Sequence, residues 1–271
     1  MAIKLVGIDL DDTLLNPDRT ISSVNRLTVI RTISAGVMVV LASGRTIQSM
    51  RPYAEALGMI GKRFPMICFN GAEIRDIDTR SIIHRHAFSP QETKLCINAI
   101  QEAGLPAQVY EDEGIIVTEQ NKWTDKDTSL TGLPNRLPRY NGEMWEEERS
   151  KVLASGDPEA IQRVLPALRE KLAGTANLML SKPYFLEVLP IGADKGDALA
   201  WVAGKYGIQR DETMAIGDSW NDLGMIRWAG TGCAPADAQQ DVLAAARFVA
   251  EAPHDGGAVA ELLKRFILDI I

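Results

Sequence analysis

Apolar positions along the chain fall into short β-branched runs, each followed by a polar or glycine-rich loop and then a stretch with helical spacing. "IKLVGI" (3–8) opens into "DLDDT", and a helix beginning at Ser22 or Ser23 is predicted to run to Ala35, where Gly36 ends it. "VMVVL" (37–41) opens into "ASGRT" and a helix to about Leu57. "PMICF" (65–69) opens into "NGAE". Towards the other end "TMAI" (213–216) opens into "GDSWND" and another helix, and "GTGCA" and "RFVA" read as two further strands. Strands this apolar, separated by helices, predict a parallel sheet buried on both faces.

The middle of the chain has a different pattern. In "SPQETKLCINAIQEAG", Ser89 caps a helix, Pro90 takes its first position and Glu92 completes a capping box. Two strand-like pieces, "AQVY" and "GIIVTE", flank an acidic turn, and residues 119–150 are polar and broken by proline and glycine. "KVLAS", a helix starting at Asp157–Pro158, "NLMLS" and "YFLEVL" complete an α+β pattern. The expected organisation is an α/β core formed by 1–83 and 189–271, its sheet resuming near Gly192, with a smaller α+β domain inserted at 84–188. There is no internal repeat.

Composition narrows the function. The chain has 271 residues, is 46% apolar, and carries 29 basic against 36 acidic side chains, a net charge of −7. That balance argues against nucleic acid and anionic membranes as partners, since both need a basic face. No window has the 18 or so apolar residues of a spanning helix, and "MAIKLVGIDL" lacks the features of a signal peptide. Cys68, Cys96 and Cys233 are scattered, and are expected to be buried free thiols in a cytoplasmic protein. His84, His86 and His254 are too dispersed for a zinc site.

In a parallel α/β sheet, ligands bind beyond the carboxyl ends of the strands. The pattern puts Asp9 and Asp11 there after the first strand, Ser43 and Gly44 after the second, and Asp218, Asn221 and Asp222 after "TMAI". Lys195 opens the helix in "GADKGDALAWVA". Asp9, Asp11 and Asp218 make a hard, all-oxygen pocket of the kind Mg²⁺ prefers. A divalent ion would also turn carboxylate repulsion into attraction. Ser43, the amides around Gly44 and Lys195 supply donors for a phosphate. Asp9 and Asp11 lie two apart, so on a regular strand they point the same way. One can attack phosphorus as nucleophile, giving an aspartyl-phosphate, while the other protonates the leaving alkoxide and then activates water.

Each signal alone has a plainer use as a turn, a cap or a solvated helix start; four in order at strand ends point to one site. A phosphomutase would use the same chemistry. A phosphoacceptor signalling domain also combines acidic residues, Ser/Thr and Lys, but it is one sheet without an insertion, and its residue order differs. "GTGCAP" (230–235) lacks the third glycine of a dinucleotide fingerprint, and no P-loop occurs.

These residues resemble the haloacid dehalogenase-like superfamily. "DLDDT" (9–13), "LASGR" (41–45), Lys195 in "DKGDAL" and "GDSWND" (217–222) resemble its four motifs in order. The insertion and "FNGAEI" (69–74) resemble the Cof-type phosphatases, and "PYFLEVLP" is similar in wording to YidA-like sugar phosphatases among them. The resemblance implies a Rossmann-like three-layer core with an inserted cap that governs specificity, acting as a phosphoric monoester hydrolase on a small phosphorylated metabolite. A monomer or small homo-oligomer is expected. It implies Asp9 as nucleophile and metal ligand, Asp11 as general acid/base with its backbone carbonyl on Mg²⁺, and Asp218 as the other carboxylate ligand. Leu10 (through its amide), Ser43, Gly44, Lys195 and Asn221 would bind phosphate, with Asp222 in support. Trp123, Tyr140 and Trp145 stand in the stretch expected to set specificity, and Arg45 is a candidate cation on the substrate side. Where the family usually has glycine after the second aspartate this chain has Asp12, which is tolerable where the backbone is not forced to φ > 0, and its usual proline after "GR" is Thr46.

Overall fold

A computed structural model describes residues 2–269 of the chain. The first apolar run forms β1 (Leu5–Asp9), buried at every position as a strand covered on both faces must be. Ser22 caps α1 (Ser23–Ser34), its side chain accepting from the Asn25 amide. β2 (Met38–Ala42) leads into α2 (Ile47–Ala56), whose cap is Thr46, accepting from the Ser49 amide. The departure from proline at 46 therefore supplies a capping hydroxyl. After β3 (Pro65–Cys68), a tight turn at Phe69–Gly71 reverses the chain into β4 (Glu73–Asp76), antiparallel to β3, and β5 (Ile82–Arg85) follows.

The middle of the chain begins with α3 (Pro90–Glu102), where Ser89 and Glu92 form the predicted capping box. It continues through β6 (Ala107–Tyr110), β7 (Ile115–Val117), α4 (Lys122–Thr131), β8 (Asn135–Arg136) and β9 (Val152–Ser155). α5 (Pro158–Lys171), β10 (Ala176–Lys182) and β11 (Phe185–Pro190) complete it. Its strands form one sheet in the order β10-β11-β9-β6-β7-β8. Alternation along the strands sends Ala107, Val109, Val152, Ala154, Leu186 and Val188 into a core with Ile97 and Ile100 of α3 and Ile161 and Leu165 of α5. α4 lies inside the stretch that carries no helical apolar stripe. Its ends hold it instead: Asn121 and Thr124 exchange a capping box, and Gly132 closes it in the left-handed conformation. Trp123 stacks on Tyr184 with ring centroids 5.3 Å apart, Trp145 packs against the core and Tyr140 is half exposed.

The chain then returns through α6 (Lys195–Lys205), β12 (Thr213–Ile216), α7 (Leu223–Trp228), β13 (Thr231–Ala234), α8 (Gln240–Ala245), β14 (Phe248–Val249) and α9 (Ala258–Leu263). The large sheet has the order β14-β13-β12-β1-β2-β3-β4-β5. It is parallel from β14 to β3, and the β3–β4 reversal departs from the all-parallel expectation. β1 is central: Ile8 pairs with Ile216 on one side, and Asp9 with Ala42 on the other. The carboxyl ends of β12, β1 and β2 therefore lie side by side. Two compact units result, one from the chain up to His84 and from Asp194 onward, the other from Arg85–Ala193. All three cysteines are buried and free. Among the described residues no helix is long and apolar enough to cross a membrane.

Gly71 has φ +99, and a Cβ there would overlap the backbone carbonyl of Asp194. Gly71→Ala therefore combines left-handed strain with overpacking against backbone, and is expected to cost about 2–4 kcal/mol, read as a lower urea unfolding midpoint.

Candidate active site

β1 ends at Asp9, and the chain enters a tight turn, Leu10–Leu14, closed by the Leu15 amide donating to the Leu10 carbonyl at 2.9 Å. Asp11 thus leaves the strand, and the period-two argument that aimed it alongside Asp9 does not apply. Its carboxylate turns to Arg45, whose Nε donates to Oδ2 at 2.8 Å and Nη2 to Oδ1 at 2.5 Å, a bidentate pair. Arg45 is thereby a partner of Asp11. Asp12 adopts φ 59, ψ 18, the left-handed region in which a side chain in place of the family's usual glycine is strained. Aspartate is among the few side chains that visit this region, at about 1–2 kcal/mol. Thr13 Oγ donates to Asp218 Oδ1 at 2.8 Å, tying this turn to the loop after β12.

Lys195, the first residue of α6, is 0% exposed. Its Nζ donates to Asp9 Oδ1 at 2.5 Å and to Asp222 Oδ1 at 2.7 Å. Asp222 Oδ2 accepts from the Asp218 and Ser219 amides at 3.0 and 3.1 Å. Asp222 thus stands inside the cluster rather than at its margin: Asp9, Asp218 and Asp222 each offer an oxygen within 4.8 Å of the others. One ammonium faces three carboxylates. Burial, then the charge of Asp222, holds Asp9 well above the ordinary carboxylate range, with Lys195 opposing. Burial and Asp222 push Asp218 up to about 7. For Lys195, burial favours the neutral form, but Asp222 and Asp9 outweigh it and keep the ammonium charged. Hard oxygen donors crowded around one ammonium fit a divalent cation, and Asp9, Asp218 and Asp222 are the carboxylates that could hold it.

Ser43 follows β2, is buried, and its Oγ accepts from the Arg45 amide at 3.3 Å. Asn221 Nδ2 donates to Asn70 Oδ1 at 3.0 Å, and a Cβ built on Gly44 would stand 2.8 Å from Asn70 Nδ2. Ser43, Gly44 and Asn221 are therefore joined through Asn70, a residue of "FNGAE" that was not among the candidates. It too follows a parallel strand at its carboxyl end, so the rule that found the others applied to it. Leu10 is fully buried, its backbone included. Trp220 is 60% exposed, its indole N–H donating to Asp241 at 3.0 Å.

The haloacid dehalogenase-like hydrolase family matches residues 6–263. The chain belongs to that family. A haloacid dehalogenase-like hydrolase of Bacteroides thetaiotaomicron has a similar solved structure, with TM-score 0.89, 31% identity, and 97% of this chain and 99% of that one covered. The 5-amino-6-(5-phospho-D-ribitylamino)uracil phosphatase YcsE of Bacillus subtilis is 29% identical, over 98% of this chain and 96% of its own. An HMP-PP phosphatase of an Enterobacter species is 27% identical, over 89% of this chain and 87% of its own. These matches run through both units of the haloacid dehalogenase-like chain, the insertion included.

Without a cation, folded Asp218 keeps its proton up to about pH 7, whereas an unfolded chain releases it near roughly 3.9. A raised folded-state pKa stabilises the fold fully below the lower value, and that contribution is lost as pH rises through the upper one. EDTA-treated protein is therefore expected to lose thermal stability between about pH 4 and 7, and Asp218→Asn to reduce that loss, with Asp9 contributing in the same direction. Midpoints of variant and wild type that move in parallel over this window would contradict the assignment.

Proposed function

We propose that the protein is a Mg²⁺-dependent phosphatase that hydrolyses small phosphomonoesters through an aspartyl-phosphate on Asp9. The observation that carries this reading is the cluster of Asp9, Asp218 and Asp222 around the buried Lys195, which pairs with Asp9 and Asp222, close to Ser43, Gly44 and Asn221, which Asn70 joins. A site so rich in carboxylates and donors suits a phosphate held by a cation. The whole-length phosphatase relatives support the reaction class.

In this reading an Asp9 carboxylate oxygen forms a bond to phosphorus while the bond from phosphorus to the leaving oxygen breaks. Asp11 gives its proton to that oxygen and later takes one from the water that attacks phosphorus, releasing phosphate and restoring the Asp9 carboxylate. Mg²⁺, bound by Asp9, Asp218 and the Asp11 backbone carbonyl, would neutralise charge on the transferred group. Lys195, already between Asp9 and Asp222, favours the ionised form of the nucleophile and would offer its charge to a phosphate oxygen. Asp11 serves as acid only after its carboxyl leaves Arg45, so Arg45 holds it in a resting position. The inserted unit, with Trp123 and the 119–150 stretch, would select the leaving group, here a sugar phosphate or related metabolite.

Phosphate release from a panel of sugar phosphates and cofactor phosphates is expected to require Mg²⁺ and to return when Mg²⁺ is restored after EDTA. Asp9→Asn should abolish it with cooperative unfolding retained. Asp11→Asn should lower kcat by about 10²–10⁴-fold. Undiminished turnover by Asp9→Asn would sink the nucleophile assignment.

A further inference from the structure

The turn after β3 holds three consecutive residues at positive φ: Phe69 (49), Asn70 (54) and Gly71 (99). Two of them bear side chains, and such conformations persist only where the surroundings over-determine them. Here the surroundings are the segments that carry the donor rim. The Phe69 amide donates to the Arg45 carbonyl at 3.1 Å, and the Asn70 amide to the Ser43 carbonyl at 2.9 Å. The backbone of this turn therefore fixes the strand-to-helix loop that contains Ser43 and Gly44.

Its side chain reaches the other two segments. Asn70 is 3% exposed, its amide lies against the Gly44 backbone, and its Oδ1 accepts from Asn221 Nδ2 at 3.0 Å. Gly71 meets the backbone of Asp194, whose carboxylate caps α6 by accepting from the Gly196 amide at 2.6 Å, one residue from Lys195. Left-handed backbone and a side-chain acceptor are both required at position 70, and asparagine is a residue that supplies both. An amide such as Asn221 offers a donor on one arm and an acceptor on the other, so a wrong rotamer would turn oxygen towards an anion.

We propose that Asn70 is a positioning residue of the phosphate site: by accepting from Asn221 and lying on Gly44 it orients the Asn221 amide so that its donor face meets the phosphate. This rests on the phosphatase reading above for what the site binds. Asn70 acts through Asn221.

The test is a double-mutant cycle on phosphate affinity. Inorganic phosphate binding in the presence of Mg²⁺ is measured by calorimetry for wild type, Asn70→Gly, Asn221→Ala and the double variant. Asn70→Gly keeps the left-handed backbone without strain and deletes the acceptor. It is expected to weaken phosphate binding about tenfold with the thermal midpoint preserved, and the double variant to bind no worse than Asn221→Ala. Wild-type affinity in Asn70→Gly, or losses that add in the double variant, would overturn the proposal. If Asn70→Gly fails to fold, the cycle is run with Asn70→Ser and judged by the same coupling. A wild type that binds phosphate but hydrolyses no ester defeats the phosphatase reading while the cycle still decides Asn70. A wild type with no phosphate affinity defeats both.

Discussion

The core rests on a lysine ammonium placed where water cannot reach it, between two carboxylates. Desolvating such ions costs several kcal/mol each, and only close, hydrogen-bonded geometry offsets that. Lys195 meets the condition with two short bonds, to Asp9 and Asp222, while Asp222 accepts two backbone amides with its other oxygen. The position of Lys195 is in turn set by α6, whose apolar face of Ala198, Leu199 and Val202 packs with Leu5, Val40 and Ala215 of the sheet. The charge that organises the site is thus held in place by ordinary apolar burial one turn further along the same helix. Even so, burial first, and then the charge of Asp222, make Asp9 and Asp218 reluctant to ionise.

Sheet order explains why distant segments meet. β1 at the centre, with β12 and β2 as neighbours, brings the loops after residues 9, 42 and 216 together, although 174 residues separate the last two. Most of this was legible in the chain. Apolar runs longer than a two-period strand needs marked the buried parallel strands, and a change from apolar run to Asp, Ser or Gly marked each strand end. Ser22, Ser89 and Asp157 announced three helix starts through capping chemistry that depends only on neighbouring residues.

What escaped depended on side-chain direction or on distant partners. The Asp9–Asp11 spacing reads as one face of a strand only while the strand continues, and β1 stops at Asp9, so the turn sent Asp11 to Arg45. Aspartate is compatible with both regions, so at Asp12 the left-handed backbone is signalled only by the glycine usual at that place in the family. Asp222 looked peripheral until the fold brought Lys195 against it. α4 is stabilised by its two ends more than by an apolar stripe, and hydrophobic periodicity is blind to that. The β3–β4 reversal hides in "FNG", where two of the three left-handed residues are not glycine.

The insertion is joined to the rest of the chain at two peptide junctions only, 84/85 and 193/194, and it has an apolar core of its own. A substitution in that core or on the surface of its sheet leaves the bonds among Asp9, Lys195 and Asp222 untouched, so the two units can accept mutations on separate schedules. Such an arrangement lets one module change while selection holds the other nearly still.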